Sequence, residues 1–384
     1  MSLIGRVCAK GVWDETVPGI SFDESGASNY SKIFNRMVES YPRGAEGLDQ
    51  WNKLIQQIKI EGINKKYDCI IGVSGGTDSS FLLHMAKKVY GLRALAVTFD
   101  NGWSSDIAVK NIKRMTNSLD IDLETYVVDY EEMKSIHKAY MKAGLPWVDF
   151  PTDFAIKNTL LQTARREKIK YIFSGHDFRS EGTQPNEWTH GDSKQLRHIT
   201  KQFSSTNILS LPFISFFNQL LYTKVGKIEI VKPFYYLDYQ KKVAQELLQK
   251  EYGWEYYGGH HHENIFTKFV ISYWLPRKFG IDKRKITLSA QVMSGEVSRD
   301  TAVQMLNDSP YDPQQMELDK EYVLKKLELE AQEFEAIWNA PNKSVYDYPS
   351  YLGTLLKFKG ILRFLFKITN RNLPSFLYQI EERY

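Results

Sequence analysis

Short apolar runs alternate with stretches of helical period along the first half of the chain, and this alternation predicts an α/β fold. Residues 67–73 (YDCIIGV) form an apolar run of strand length, as expected of a strand buried on both faces. Further runs lie at 94–99 (ALAVTF), 123–128 (LETYVV) and 170–173 (KYIF). Between them, apolar residues recur at helical spacing over 81–90, 106–117, 130–142 and 154–168. The alternation implies a doubly wound parallel sheet with ligands beyond the carboxyl ends of its strands. Asp100 and Gly175-His176-Asp177 fall at such ends. Beyond about residue 310 the charged stretch 316–338 predicts one long solvated or partner-facing helix. The tail 355–367 (LLKFKGILRFLFK) predicts a basic amphipathic helix. Such a helix either buries its apolar stripe against the protein or lies on an anionic membrane surface.

Candidate chemistry follows the first apolar run directly, in Ser74-Gly75-Gly76-Thr77-Asp78-Ser79-Ser80. Strand, glycine loop and helix in this order aim backbone N–H groups and a helix N-terminus at a phosphate. Gly75 and Gly76 allow close backbone approach, and the hydroxyls of Ser74, Thr77, Ser79 and Ser80 add donors. A Walker A loop requires a lysine that reaches the β- and γ-phosphates. This loop has none, which argues against γ-phosphoryl transfer of that kind, and the dinucleotide pattern G-x-G-x-x-G is absent as well.

Composition narrows the class. At 384 residues, 42% hydrophobic and 25% charged, the chain is an ordinary soluble globular protein of two or three domains. Fifty basic against 46 acidic residues leave +4, too small an excess to imply a nucleic-acid partner. The two cysteines, Cys8 and Cys69, cannot form a disulfide framework or a four-thiolate metal site, and they suit a reducing cytoplasm. Charges at Arg6, Lys10, Asp14 and Glu15 break any signal-peptide core, and the apolar stretch 208–221 is too interrupted to span a bilayer.

The run SGGTDSS resembles the PP-loop of the N-type ATP pyrophosphatases, a superfamily with an adenine nucleotide alpha hydrolase-like sheet. The resemblance implies ATP and Mg²⁺, with pyrophosphate leaving as a substrate oxygen attacks the α-phosphorus. It assigns Val73, Ser74, Gly75, Gly76, Thr77, Asp78, Ser79 and Ser80 to the nucleotide, with Phe99, Asp100, Gly175 and His176 bordering the adenosine. Asp78 is the implied Mg²⁺ ligand.

The opening segment, with Asp14-Glu15-Thr16, Pro18 and Phe22-Asp23, resembles the start of the N-acetyl sugar amidotransferases of lipopolysaccharide and flagellin sugar biosynthesis. Where that family often carries four cysteines, positions 8, 11, 28 and 31 are Cys, Gly, Ser and Ser. Serine and glycine do not replace thiolates on zinc, so a ribbon-like shape is expected without zinc. The run Gly258-Gly259-His260-His261-His262-Glu263-Asn264-Ile265-Phe266-Thr267-Lys268-Phe269 is similar to the family's G-G-K-H-x-E-S-x-F-T-x-F, with His260 for the lysine and Asn264 for the serine. The resemblance makes His261 and Glu263 candidates for handling protons on attacking ammonia, and Lys268 for neutralising phosphate. His261 and Glu263 share a face only if the segment is extended. The cluster Lys283-Arg284-Lys285 either meets a substrate phosphate or closes the preceding helix.

The expected organisation is a ribbon-like segment at 1–50, a PP-loop domain at 51–235, an acceptor-binding helical region at 236–310 and a helical extension at 311–384. By resemblance, the chain is a cytoplasmic ATP-dependent amidotransferase converting the acetamido group of an activated, nucleotide-linked sugar to an acetamidino group. The implied partners are a separate glutaminase and a barrel-type ammonia-channel protein, with no nucleic acid and at most peripheral membrane contact. The alternatives are a tRNA-modifying PP-loop enzyme (thiolase or lysidine synthase type) and a non-enzymatic nucleotide-binding subunit.

Overall fold

The computed structural model describes residues 3–259, 262–309, 311–368 and 375–383. Five strands form one sheet: β1 (Cys69–Gly72), β2 (Ala94–Asp100), β3 (Asp122–Val127), β4 (Tyr171–Phe173) and β5 (Glu229–Val231). Their order is β3-β2-β1-β4-β5, and every pairing is parallel. Cys69 and Ile71 of β1 join a core with Trp51, Ile55, Leu82 and Met115 on one face. Ile70 joins Leu161, Ala164 and Ile172 on the other. The sheet is therefore covered on both sides, which is why its central strand reads as unbroken apolar sequence.

Six helices matter for the site: α1 (Asn29–Ser40), α2 (Gly44–Glu61), α3 (Thr77–His84), α4 (Asp106–Leu119), α5 (Tyr130–Lys142) and α6 (Phe150–Arg166). Helix α3 begins four residues before its apolar period does, because Gly76 serves as its N-cap and Thr77–Ser80 form its first turn. Helix α2 runs through the expected division at residue 50 and buries Trp51 against the sheet. Strand β5 carries too short an apolar pattern to be read alone, and it pairs with β4 through Ile172 and Ile230.

The charged stretch 316–338 is two helices rather than one, Pro313–Lys326 and Ala331–Asn339. The chain turns between them at Glu328, whose φ is +51°, and buries Leu327 and Leu329 on either side. The tail forms helices Leu352–Lys357 and Lys359–Ile368. Leu352 is buried, whereas Phe358, Ile361 and Phe364 are 52%, 58% and 63% exposed. Among the described residues, no helix is long and apolar enough to cross a membrane.

The opening segment does adopt a ribbon-like form, with antiparallel bridges Val7–Asp14 and Phe22–Ser28. Cys8 is fully buried, and its Sγ accepts from the N–H groups of Lys10 (3.4 Å) and Ser28 (3.2 Å). Ser28 caps α1 by accepting from Ser31 N, and Ser31 Oγ donates to Ser28 O at 2.6 Å. At position 11 the Trp13 ring lies where a side chain would go, 2.7 Å from an added Cβ. Hydrogen bonds and an indole thus organise these positions.

This segment is fastened to the far end of the chain by a buried ion pair, Lys285 Nζ to Asp14 Oδ2 at 2.6 Å. Asp14 also accepts from Ile4 N and Thr16 N. Breaking a buried pair leaves an uncompensated charge, so Lys285→Met should destabilise the protein by about 3 kcal/mol in urea unfolding. Adding Asp14→Leu should recover only part of that loss, since it removes the unpaired charge but leaves the Ile4 and Thr16 N–H groups without their acceptor.

Candidate active site

Strand β1 is the point where the sheet reverses direction: β2 and β3 lie on one side of it, β4 and β5 on the other. A crevice opens beyond the carboxyl ends of strands at such a point. The chain leaves β1 straight into the glycine loop. Gly75 has φ +78°, and a Cβ there would sit 2.3 Å from the Ala108 carbonyl oxygen of α4. Only glycine fits. The Gly75 carbonyl accepts from Asn111 Nδ2 (3.2 Å) and Trp254 Nε1 (3.1 Å), which pins the loop from behind. Within the loop, Gly76 N donates to Ser74 Oγ and Ser79 Oγ donates to the Gly76 carbonyl, both at 3.3 Å.

Residues 255–259 and 262–264 lie across the loop. The Tyr257 hydroxyl accepts from Thr77 N at 3.2 Å, at the start of α3. Burial and the nearby Glu263 carboxylate hold this phenol well above the usual tyrosine range, so it stays protonated. Glu263 Oε1 lies 3.5 Å from Ser74 Oγ. The segment is tied to the turn after β2, because Ser105 N donates to Glu263 O (2.8 Å) and Ile265 N to Trp103 O (2.9 Å). Asn264 then caps the helix Ile265–Phe269 through Thr267 N, the role a serine would also fill. Thr267 Oγ1 donates to Asp149 Oδ2 at 2.5 Å, and Asp149 Oδ1 lies 3.6 Å from His137 Nε2.

Asp78 faces two partners that sequence pattern does not reveal. The Tyr239 hydroxyl donates to it, and Lys241 Nζ sits 2.9 Å away. Burial opposes the charge on Lys241, but Asp78, Glu181 and Tyr257 outweigh it and raise the amine's pKa. Beyond the loop a cavity of about 1330 Å³ opens. Val73, Ser74, Gly76, Asp78, Ser79, Phe99, Gly175, His176 and Glu263 line it. Gly75 supports the loop from behind, while Thr77 and Ser80 are buried in the first turn of α3. His176 Nδ1 is 3.0 Å from the Tyr235 hydroxyl.

Two expectations change. Asp100 turns its carboxylate onto Gly102 N (2.9 Å), stabilising the turn after β2, and its neighbour Asn101 lines the cavity instead. Lys268 points away from the loop and pairs with Asp319 at 2.5 Å, so it neutralises a carboxylate rather than a phosphate. The basic cluster divides three ways. Lys285 pairs with Asp14, Arg284 with Asp282, and Lys283 stands in the cavity. His261 lies outside the described residues.

Among the described residues, no three His, Cys, Asp or Glu side chains gather as a metal cage. Mg²⁺ usually arrives with phosphates and takes one or two protein carboxylates; Asp78, beside the loop, is the carboxylate that would hold it.

Comparison with known proteins finds similarity over two separate stretches of the chain. Residues 50–179 match the NAD synthase family. Residues 263–360 match the family described as LPS biosynthesis protein WbpG-like, C-terminal domain. The chain thus carries one stretch similar to the NAD synthase family and a second similar to the WbpG-like C-terminal domain. An uncharacterized protein of Methanocaldococcus jannaschii is 28% identical over 141 residues, which is 36% of this chain and 48% of that relative, so the match spans about half of its length. Among solved structures, NMN synthetase from Francisella tularensis aligns over 61% of this chain and 94% of its own, at 13% identity and TM-score 0.27. NH3-dependent NAD synthetase from Campylobacter jejuni aligns over 71% and 96%, at 11% identity and TM-score 0.29. The U34-tRNA thiolase NcsA from Methanococcus maripaludis aligns over 77% and 90%, at 12% identity and TM-score 0.31.

The PP-loop domain supplies the loop and the strand ends, and the WbpG-like domain supplies Glu263 and the opposite wall. Gly75→Ala should lower ATP-dependent turnover by about 100-fold, equivalent to ~2.7 kcal/mol, with a folded circular dichroism spectrum. Lys268→Ala should leave turnover within about twofold of wild type and cost ~1 kcal/mol of stability in thermal melts.

Proposed function

We propose that the chain is an ATP-dependent, AMP-forming amidotransferase that converts the acetamido group of an activated sugar to an acetamidino group. The observation that carries this reading is the single cavity shared by a lysine-free phosphate loop and the WbpG-like domain. At about 1330 Å³ it exceeds the roughly 300–1,000 Å³ of ordinary ligand pockets, leaving room for a second substrate beside ATP.

An acetamido carbonyl is a weak electrophile whose oxygen does not leave on its own. Attack of that oxygen on the α-phosphorus breaks the α–β phosphoanhydride bond and releases pyrophosphate. Ammonia then adds to the activated carbon, AMP leaves with the oxygen, and a proton is lost to give the amidine. The loop N–H groups would steady the departing pyrophosphate, and Mg²⁺ when bound would spread its charge. Glu263, at the boundary of loop and acceptor wall, is placed to take the proton from ammonia.

The tRNA-thiolase reading lacks a thiol at the site. Cys69 is fully buried in β1, and burial pushes its thiol far up, so it is inert. Cys8 is buried in the opening segment.

The test is incubation with ATP, Mg²⁺, ammonium and a panel of nucleotide-linked acetamido sugars. AMP, pyrophosphate and a product slightly lighter than the sugar are expected. Release of ADP, or turnover that needs tRNA and not sugar, would overturn the proposal.

A further inference from the structure

The cations lining the cavity are Lys157, Lys241, Arg277, Lys283 and Arg284. Three of them are already committed to protein partners. Lys241 is 2.9 Å from Asp78, and Arg277 is 2.8 Å from Glu317. Arg284 is 2.8 Å from Asp282 and also donates to the carbonyls of Met305 and Asp308. Lys157 and Lys283 differ. Among the described residues, neither side-chain amine has an ion pair within 4.0 Å or a hydrogen bond, although Lys283 lies over the Trp147 ring.

Both lysines border Asp153. Lys157 follows it by one turn of α6, so the two side chains emerge from the same helix face. Lys283 Nζ stands 3.9 Å from the centroid of the Trp147 ring, and Trp147 Nε1 donates to Asp153 Oδ2 at 2.7 Å. The indole is thereby fixed as a floor beneath the ammonium group. Asp153, Glu181 and Asp149 are the carboxylates that act on Lys283 through space. Burial draws the Lys283 amine down to about 8, whereas Lys157 is exposed. The Lys283 ammonium is partly desolvated and its nearest carboxylates stand beyond ion-pair distance, a cost that an incoming anion would relieve.

We propose that Lys157 and Lys283 form a second anion subsite that grips an oxyanion of the acceptor, with Trp147 as its floor. The ligand chemistry is a phosphate ester, a diphosphate or a carboxylate carried by the sugar. This rests on the amidotransferase reading only for calling that ligand the acceptor. A neutral acetamido sugar would leave both ammonium groups unpaired, so the subsite makes the enzyme selective for charged acceptors.

The experiment fills the PP-loop with a non-hydrolysable ATP analogue and Mg²⁺, then titrates pyrophosphate and, separately, malonate by calorimetry. Wild-type protein should bind at least one of them, and Lys157→Ala and Lys283→Ala should each weaken that binding about tenfold. Lys283→Arg should retain it, and all variants should bind the ATP analogue as wild type does. Binding of pyrophosphate alone points to a phosphate-linked acceptor, and binding of malonate alone to a uronate. No binding to wild type, or equal binding to the alanine variants, overturns the subsite. Because the readout is binding without turnover, it stands even if no amidine product ever forms.

Discussion

The site depends on one close approach of backbone to backbone. Gly75 leaves no room for a side chain against the Ala108 carbonyl, and the left-handed conformation at that residue turns the chain sharply from β1 into α3. Two further consequences follow from that contact. The Gly75 carbonyl is turned outward to Asn111 and Trp254, so α4 and the segment before Tyr257 are anchored to the loop they surround. Asn111 also bonds the Glu255 backbone in both directions, which fixes where the segment leading to Tyr257 meets the loop. The nucleotide loop is thus rigid by packing, not by its own hydrogen bonds, which are long.

Much of this was legible in the chain because it is local. Strand burial on both faces shows as unbroken apolar runs, and a strand–glycine–helix sequence has few other uses. What escaped the sequence is what tertiary contact decides. Lys268 and Lys241 look alike in one dimension, yet one meets Asp319 and the other Asp78. Three consecutive cations, 283–285, go to the cavity, to a neighbouring carboxylate and to the opposite end of the chain. Glu328 takes a left-handed turn inside a stretch whose charges read as continuous helix, because burying Leu327 and Leu329 outweighs helical preference there.

The electrostatics of the cavity are mixed by design of its walls. Asp78, Asp149, Asp153, Glu181 and Glu263 bring negative charge to a place whose loop geometry favours anions. A divalent cation arriving with a nucleotide would resolve that conflict, which a cation-rich loop of the Walker type would not need. The same acids differ in their partners: Asp78 is paired with Lys241, whereas Asp153 accepts from the Trp147 indole and acts on Lys283 only from beyond ion-pair distance.

The opening segment has a consequence for how the protein is made. Its packing partners are residues 285, 289 and 299, and the helix Ser375–Arg383 lies against α1 through Arg36, Glu381 and Glu382. Residues 3–40 therefore meet their core only when residues up to 383 have left the ribosome. At about 5–20 residues per second, that is a wait on the order of tens of seconds. During that wait Trp13, Tyr30 and Phe34, all buried in the finished molecule, stay in need of cover.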